Sequence, residues 1–356
     1  MRRGLISWSR AELPDAVLAA RVARAQAAMA AAGLDALVLY TNNTRTAAVS
    51  WLTGFVPYWS EGLCILPRTG GPMLVVALSN RVRRWIESVS RVERVVPSPR
   101  IGAEAGRVIA ETKINATVGV VELESLRADV ADGLRKAGSG LKVTDATALF
   151  EKLRGGADAA EIALAAKAGT IAQRALACVP PKPDTIGTAI AAAEAQARAL
   201  GAEEIYLAVA ADLARDQRLV RIEQNPPALG RSFAMRATVA YKGVWVRLTR
   251  TVLEGAPNGV LAQATDQLAA AVSALPDDRG FKDCASWLVE GCRVAQPLEP
   301  LMGSKVAEPL RPAAGSVVSV QATIRIDGHP LVLGGPALLG AAGAPASLLV
   351  PPLFED

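Results

Sequence analysis

The chain has 356 residues, 51% hydrophobic and 21% charged, which is enough to bury a sizeable core and favours two domains over one. Its 39 basic and 34 acidic side chains leave a net charge of +5 with no strongly basic window, a poor basis for nucleic-acid binding. One histidine, His329, excludes most mechanisms that use imidazole as base or metal ligand; the four cysteines (Cys64, Cys178, Cys284, Cys292) are too widely spaced for a zinc ribbon or disulfide scaffold.

Taken in chain order, Met1-Arg2-Arg3 is followed by no apolar run, so no signal peptide is read and a cytoplasmic protein is expected. Pro14 to Ala32 predicts a helix ending at Gly33, and Ala36 to Tyr40 a short buried strand. Leu63–Leu66 and Met73–Leu78 predict a hairpin around Pro67–Gly71. Helices over 80–88, 102–112 and 124–137 alternate with strands over 92–96, 117–121 and 141–144. The run Arg81, Arg83, Arg84, Arg91 and Arg94 reads as a solvated helix face. Strands separated by helices imply an α/β domain over residues 1–145 with helices on its sheet.

The pattern then changes, and residues 146–356 read as an α+β domain with a mostly antiparallel sheet. Two long helices, 157–179 and 185–200, flank Pro180-Pro181-Lys182-Pro183; Ile162, Ala166, Gly169, Gln173, Leu176 and Val179 fall near one stripe of the first. Strands follow over 205–209, 232–240 and 243–251, a helix over 259–275, and strands over 316–326 and 331–333. Pro330 to Phe354 carries no charge, but its glycines and prolines argue for strands and turns rather than a membrane span. His329, in Asp327-Gly328-His329-Pro330, reads as a turn residue.

Several of these segments together resemble the creatinase/prolidase/aminopeptidase P family, the M24 peptidases with a pita-bread catalytic domain. Trp51-Leu52-Thr53-Gly54-Phe55 is similar to the family's Y-L-T-G-F turn, and Arg154 followed by Glu161-Ile162 to its R-x-x-K-x-x-x-E-[IL] opening, with Ala157 in place of the lysine. Tyr241-x-Gly243 with Leu248-Thr249-Arg250-Thr251 is similar to the Y-x-G-Y…D-x-T-R-T hairpin. The resemblance implies a creatinase-type N-terminal domain, a pita-bread C-terminal domain and a homodimer.

It also implies a dinuclear metal site, yet the chain departs at each ligand position. The two aspartates fall on Arg236 and Arg247, the histidine on Cys292, and the two glutamates on Gln321 and Gly334. The family's second histidine would fall near Glu299. Arginine offers no lone pair, so no metal and no other cofactor is expected.

Two guanidiniums in one cleft need compensation: a carboxylate such as Glu223 or Glu299, a bound anion gripped by Arg236, Arg247 and Gln321, or a collapsed cleft whose arginines fill space and snorkel to water. The expectation is a non-catalytic protein that binds a peptide, a small carboxylate or a protein partner. One alternative is a metal-independent hydrolase or lyase of the creatinase type, with Cys292 (activated by Arg293) and Glu299 as weak catalytic candidates. The other is a non-catalytic subunit of an active M24 paralogue. Tyr58, Trp59, Tyr241 and Trp245 are candidate groove aromatics or core residues.

Overall fold

A computed structural model describes residues 9–57, 59–112, 114, 117–136, 141–222, 226–254, 259–293, 297–341 and 343–352. The chain forms two compact units, residues 1–154 with 293–297, and residues 155–292 with 298–356.

The first unit runs α1 (Asp15–Ala31), β1 (Ala36–Thr41), α2 (Ala47–Thr53), β2 (Gly62–Pro67), β3 (Met73–Val76), α3 (Arg83–Val89), β4 (Arg94–Pro97), α4 (Ile101–Glu111), β5 (Thr117–Val120), α5 (Ala128–Arg135), β6 (Lys142–Asp145) and α6 (Thr147–Leu153). Its sheet has the order β4-β3-β2-β1-β5-β6; β1 and β2 pair antiparallel, β1 and β5 parallel. Alternation along the strands divides the core between the two faces. Leu37, Leu39, Cys64 and Leu66 meet Met29, Leu52 and Phe150, while Val38, Leu63 and Ile65 meet Ile101, Val108 and Val130. Burial pushes the Cys64 thiol up to about 12, which makes it a packing residue rather than a nucleophile.

Helix α2 has no counterpart in the predicted elements. Each of its seven residues is buried, so it lacks the apolar/polar period by which a surface helix is recognised. It carries the start of the Trp51–Phe55 motif and ends at Gly54, whose φ of 76° lets its N–H reach Ser50 O at 2.8 Å. The arginine run does not form one helix face: Arg83 and Arg84 lie on α3, Arg91 follows it half-buried and Arg94 begins β4; Arg83 pairs with Glu87, Arg91 with Asp15 and Arg94 with Glu111.

The second unit runs α7 (Ala159–Ala177), α8 (Ile186–Ala199), β7 (Glu204–Ala210), β8 (Ser232–Tyr241), β9 (Val244–Leu253), α9 (Val260–Ser273), β10 (Ser286–Gly291), β11 (Glu299–Gly303), β12 (Val317–Ile326), β13 (His329–Leu338) and β14 (Ser347–Leu348). Asp158 caps α7 by accepting the Glu161 N–H, and Thr185 with Thr188 forms a capping box on α8. Half of the expected stripe is buried: Gly169, Leu176 and Val179 pack inward beside Leu164, Ala168, Ile171, Ala172 and Ala175, whereas Ile162, Ala166 and Gln173 are only half-buried.

The sheet has the order β11-β10-β12-β13-β9-β8-β7, with β14 on β13, and all its pairings are antiparallel. Helices α7 and α8 cover one face of the β7–β9 half, and α9 covers the β12–β13 half. The two halves meet where Gly334 on β13 pairs with Thr249 on β9. The uncharged stretch after Pro330 supplies β13 and β14, and among the described residues no helix is long and apolar enough to cross a membrane. His329 begins β13, exposed, after the turn at Asp327 and Gly328. The architecture is an α/β creatinase-type N-terminal domain followed by an α+β pita-bread domain.

Candidate functional site

The site lies on the face of the second sheet opposite α7 and α9. One rung carries Arg236 opposite Thr249, Thr249 opposite Gly334, and Gly334 opposite Gln321. The neighbouring rung on that face carries Tyr206, Thr238 and Arg247, then Ser319 and Glu290. The residues between them, such as Met235, Ala237, Val246 and Leu248, point the other way into the core under α7 and α8. Arg236, Arg247 and Gln321, three of the residues singled out from the sequence, thus share one face.

Their contacts form a polar strip. Arg236 Nη1 donates to Gln321 Oε1 at 3.2 Å, and Thr249 Oγ1 donates to that same oxygen at 3.3 Å. The Arg247 backbone N–H donates to Ser319 Oγ at 2.9 Å, and its guanidinium is ion-paired with Glu290. Glu290 is only 5% exposed, so this pair is largely withdrawn from water. The charges remain unbalanced. Burial and then the Arg247 charge pull the Arg236 guanidinium down to about 10; Glu290 opposes that and Arg221 adds to it. The Nε atoms of both Arg236 and Arg247 are buried without a hydrogen-bond partner in the structure. An aromatic pair borders the strip: Tyr206 and Trp245 stack with centroids 5.6 Å apart, and the Arg221 guanidinium sits 4.8 Å over the Tyr206 ring.

Other candidates sit differently. The carboxylate acting on both arginines is Glu290, which the sequence reading did not single out; Glu223 lies outside the described residues. Glu299 pairs with Gly291 across the β10–β11 ladder, one residue out of phase with Glu290. Cys292 follows the end of β10, half-buried; Arg293, the expected activator of its thiol, engages Glu151 at 2.5 Å. Of the aromatics, Trp245 is buried in the stack, Tyr241 packs at the edge of the α7–α8 core, Trp59 is 60% exposed, and Tyr58 is outside the described residues. Tyr206, Arg221, Thr249 and Glu290 are the additions. The one available signal was an acid, Glu290, inside the apolar run Trp287-Leu288-Val289.

A dinuclear metal centre does not fit these residues. The positions the resemblance assigns to ligands hold two cations, a thiol, an amide and a glycine. Among the described residues, no three His, Cys, Asp or Glu side chains converge as a metal site. Gly334 adds a backbone constraint: a Cβ there would stand 2.2 Å from Val320 O and 2.9 Å from Gln321 Cα. No side chain, let alone a glutamate, enters that position unless β12 moves.

Comparison with known proteins agrees with this architecture. Residues 21–155 match the family model of the creatinase/prolidase N-terminal domain. No curated protein matches the chain. Among solved structures, the prolidase from Pyrococcus horikoshii OT3 superposes with a TM-score of 0.67 at 15% identity, over 95% of this chain and 99% of that one. The X-Pro aminopeptidase from Thermotoga maritima MSB8 gives 0.67 at 17% identity, over 92% and 97%. The N-terminal domain of FACT complex subunit SPT16 from Cicer arietinum gives 0.61 at 15% identity, over 95% and 97%. At these identities the likeness is one of fold, shared by two peptidases and a subunit of a complex.

Proposed function

We propose that this chain is an M24-type protein without metallohydrolase chemistry, whose pita-bread face binds a small anion or a carboxylate-bearing peptide. The observation that carries the reading is the pair of buried, unpartnered Nε–H donors on Arg236 and Arg247, beside a single shared carboxylate. A buried donor left unsatisfied costs about 1–3 kcal/mol, and a planar anion meets a guanidinium edge through Nε–H and one Nη–H together. The four carboxylates of the family's metal site are replaced by two cations and two neutral residues, so the favoured guest changes sign. A second reading, a metal-free subunit that binds a protein partner, draws on the likeness to a FACT complex subunit. We place the protein in the cytoplasm as a homodimer in either reading.

Thermal unfolding tests the first reading. Succinate, phosphate or an acidic dipeptide is expected to raise the Tm of the wild type with concentration, because only the native state binds it. Arg236→Met should abolish that response. It should also stabilise the unliganded protein by about 1–2 kcal/mol, since it removes a buried cation repelled by Arg247 and Arg221 while Thr249 still satisfies Gln321 Oε1. The pH dependence has a defined sign. Arg236 is charged in the folded protein below about 10, so anion binding should hold to that pH and weaken above it. An anion response that persists in Arg236→Met would remove the cleft as its origin.

A further inference from the structure

We infer that the anion site takes a dianion, a phosphomonoester or a dicarboxylate, in preference to a monocarboxylate, and that Arg221 supplies the second charge. This rests on the anion reading above and specifies its ligand class.

The charge of Arg221 acts on Arg236. The short bridge between Val209 and Val220, closed by hydrogen bonds of 2.9 and 3.2 Å, lays the segment before Arg221 along the outer edge of β7. Leu219 and Ile222 pack into the clusters on the two sides of the sheet, which anchors the segment at both ends of Arg221. The guanidinium then lies 4.8 Å over the Tyr206 ring, and Tyr206 occupies the same rung as Thr238 and Arg247. Tyr206 is itself held by the near-parallel stack on Trp245, at an interplanar angle of 8°. An exposed arginine is thus held over a fixed ring at the mouth of the polar strip, near enough to add to the positive field on Arg236.

Charge sets the ligand class. The charges bearing on Arg236 are Arg247 and Arg221, both positive, and Glu290, negative. With Arg236 itself, three cations face one anion, a surplus of two among the described residues. A monocarboxylate can satisfy the Nε edge of one arginine and leaves one positive charge unanswered. A dianion answers both and can span from the Arg236–Arg247 edge to Arg221. The packing of Arg221 on Tyr206 holds the cation over the ring at 4.8 Å.

The test is calorimetric titration of the wild type and of Arg221→Gln, an exposed position where folding is not at stake, with acetate, succinate and phosphate at constant ionic strength. In the wild type, succinate and phosphate should bind about tenfold or more tightly than acetate, the effect of one further charge-assisted contact. Arg221→Gln should erase that preference, weakening succinate and phosphate much more than acetate; Tyr206→Leu, which removes the ring beneath the guanidinium, should reduce it. Equal binding of acetate and the dianions by the wild type, or a preference that survives Arg221→Gln, overturns the inference and leaves the anion reading standing. No binding of any of the three by the wild type overturns both. Succinate and phosphate separate the two sources of the dianion, since a tetrahedral and an extended charge pair differ in span; whichever binds tighter identifies the class.

Discussion

Glu290→Gln is expected to destabilise the protein by about 2–4 kcal/mol, although it deletes only one charge. Glu290 is 5% exposed and is the counter-charge to Arg247, whose side chain is 22% exposed. Removing one member of a buried ion pair strands the other, at a cost of about 3–5 kcal/mol where burial is complete, somewhat less here because Arg247 keeps some water. The loss also reaches Arg236, because Glu290 is the charge that opposes the repulsion among the arginines. Urea unfolding with linear extrapolation reads the effect directly. The double variant Glu290→Gln/Arg247→Met should regain most of the loss, since it leaves no stranded charge. A single-variant loss below about 0.5 kcal/mol, or a double variant no better than the single one, would mean that the pair is not a structural element of the cleft.

Gly334→Ala should cost about 2–3 kcal/mol, more than is usual for adding one methyl group. The new Cβ would meet Val320 O at 2.2 Å and Gln321 Cα at 2.9 Å, both in the backbone of β12, so no side-chain rotation relieves the overlap. The strain falls where β9 and β13 join the two halves of the sheet. Gly187→Ala is the control. It lies in α8 with its nearest neighbour, Thr185 Oγ1, 3.5 Å away, and replacing a helical glycine there should stabilise by about 0.5–1 kcal/mol. Equal effects at the two positions would contradict the close approach of β12 to Gly334. A carboxylate side chain at this position is therefore closed off by the backbone of β12.

Much of this arrangement was legible before the structure. The strands bearing Arg236, Arg247 and Gln321 were readable because each alternates between a packed face and a polar one; Met235 and Ala237 flank Arg236, and Val246 and Leu248 flank Arg247. The eleven-residue interval from Arg236 to Arg247 then fits a hairpin turning at Lys242 and Gly243, whose φ angles are 49° and 77°. The partner of Arg247 was not legible. Glu290 sits in a strand interrupted by a register shift at Val289/Glu290, and the adjoining strand β11 contains Pro300, so neither segment reads as regular. Tyr206 and Arg221 were missed for a different reason: their contact depends on the Val209–Val220 bridge, a tertiary pairing with no local pattern. The α7 stripe was only half legible: Gly169, Leu176 and Val179 are buried as read, but alanine lies on all sides of that helix, so the rest of the face is set by what the β8–β9 sheet presents rather than by hydrophobicity.

The measurement that bears most directly on the sign of this site is a pair of calorimetric titrations of the wild-type protein, one with manganese chloride and one with sodium succinate. The arginines at positions 236 and 247 predict saturable heat with succinate at one site per chain and no saturable heat with manganese. One or two equivalents of tightly bound manganese, with no response to succinate, would contradict the account.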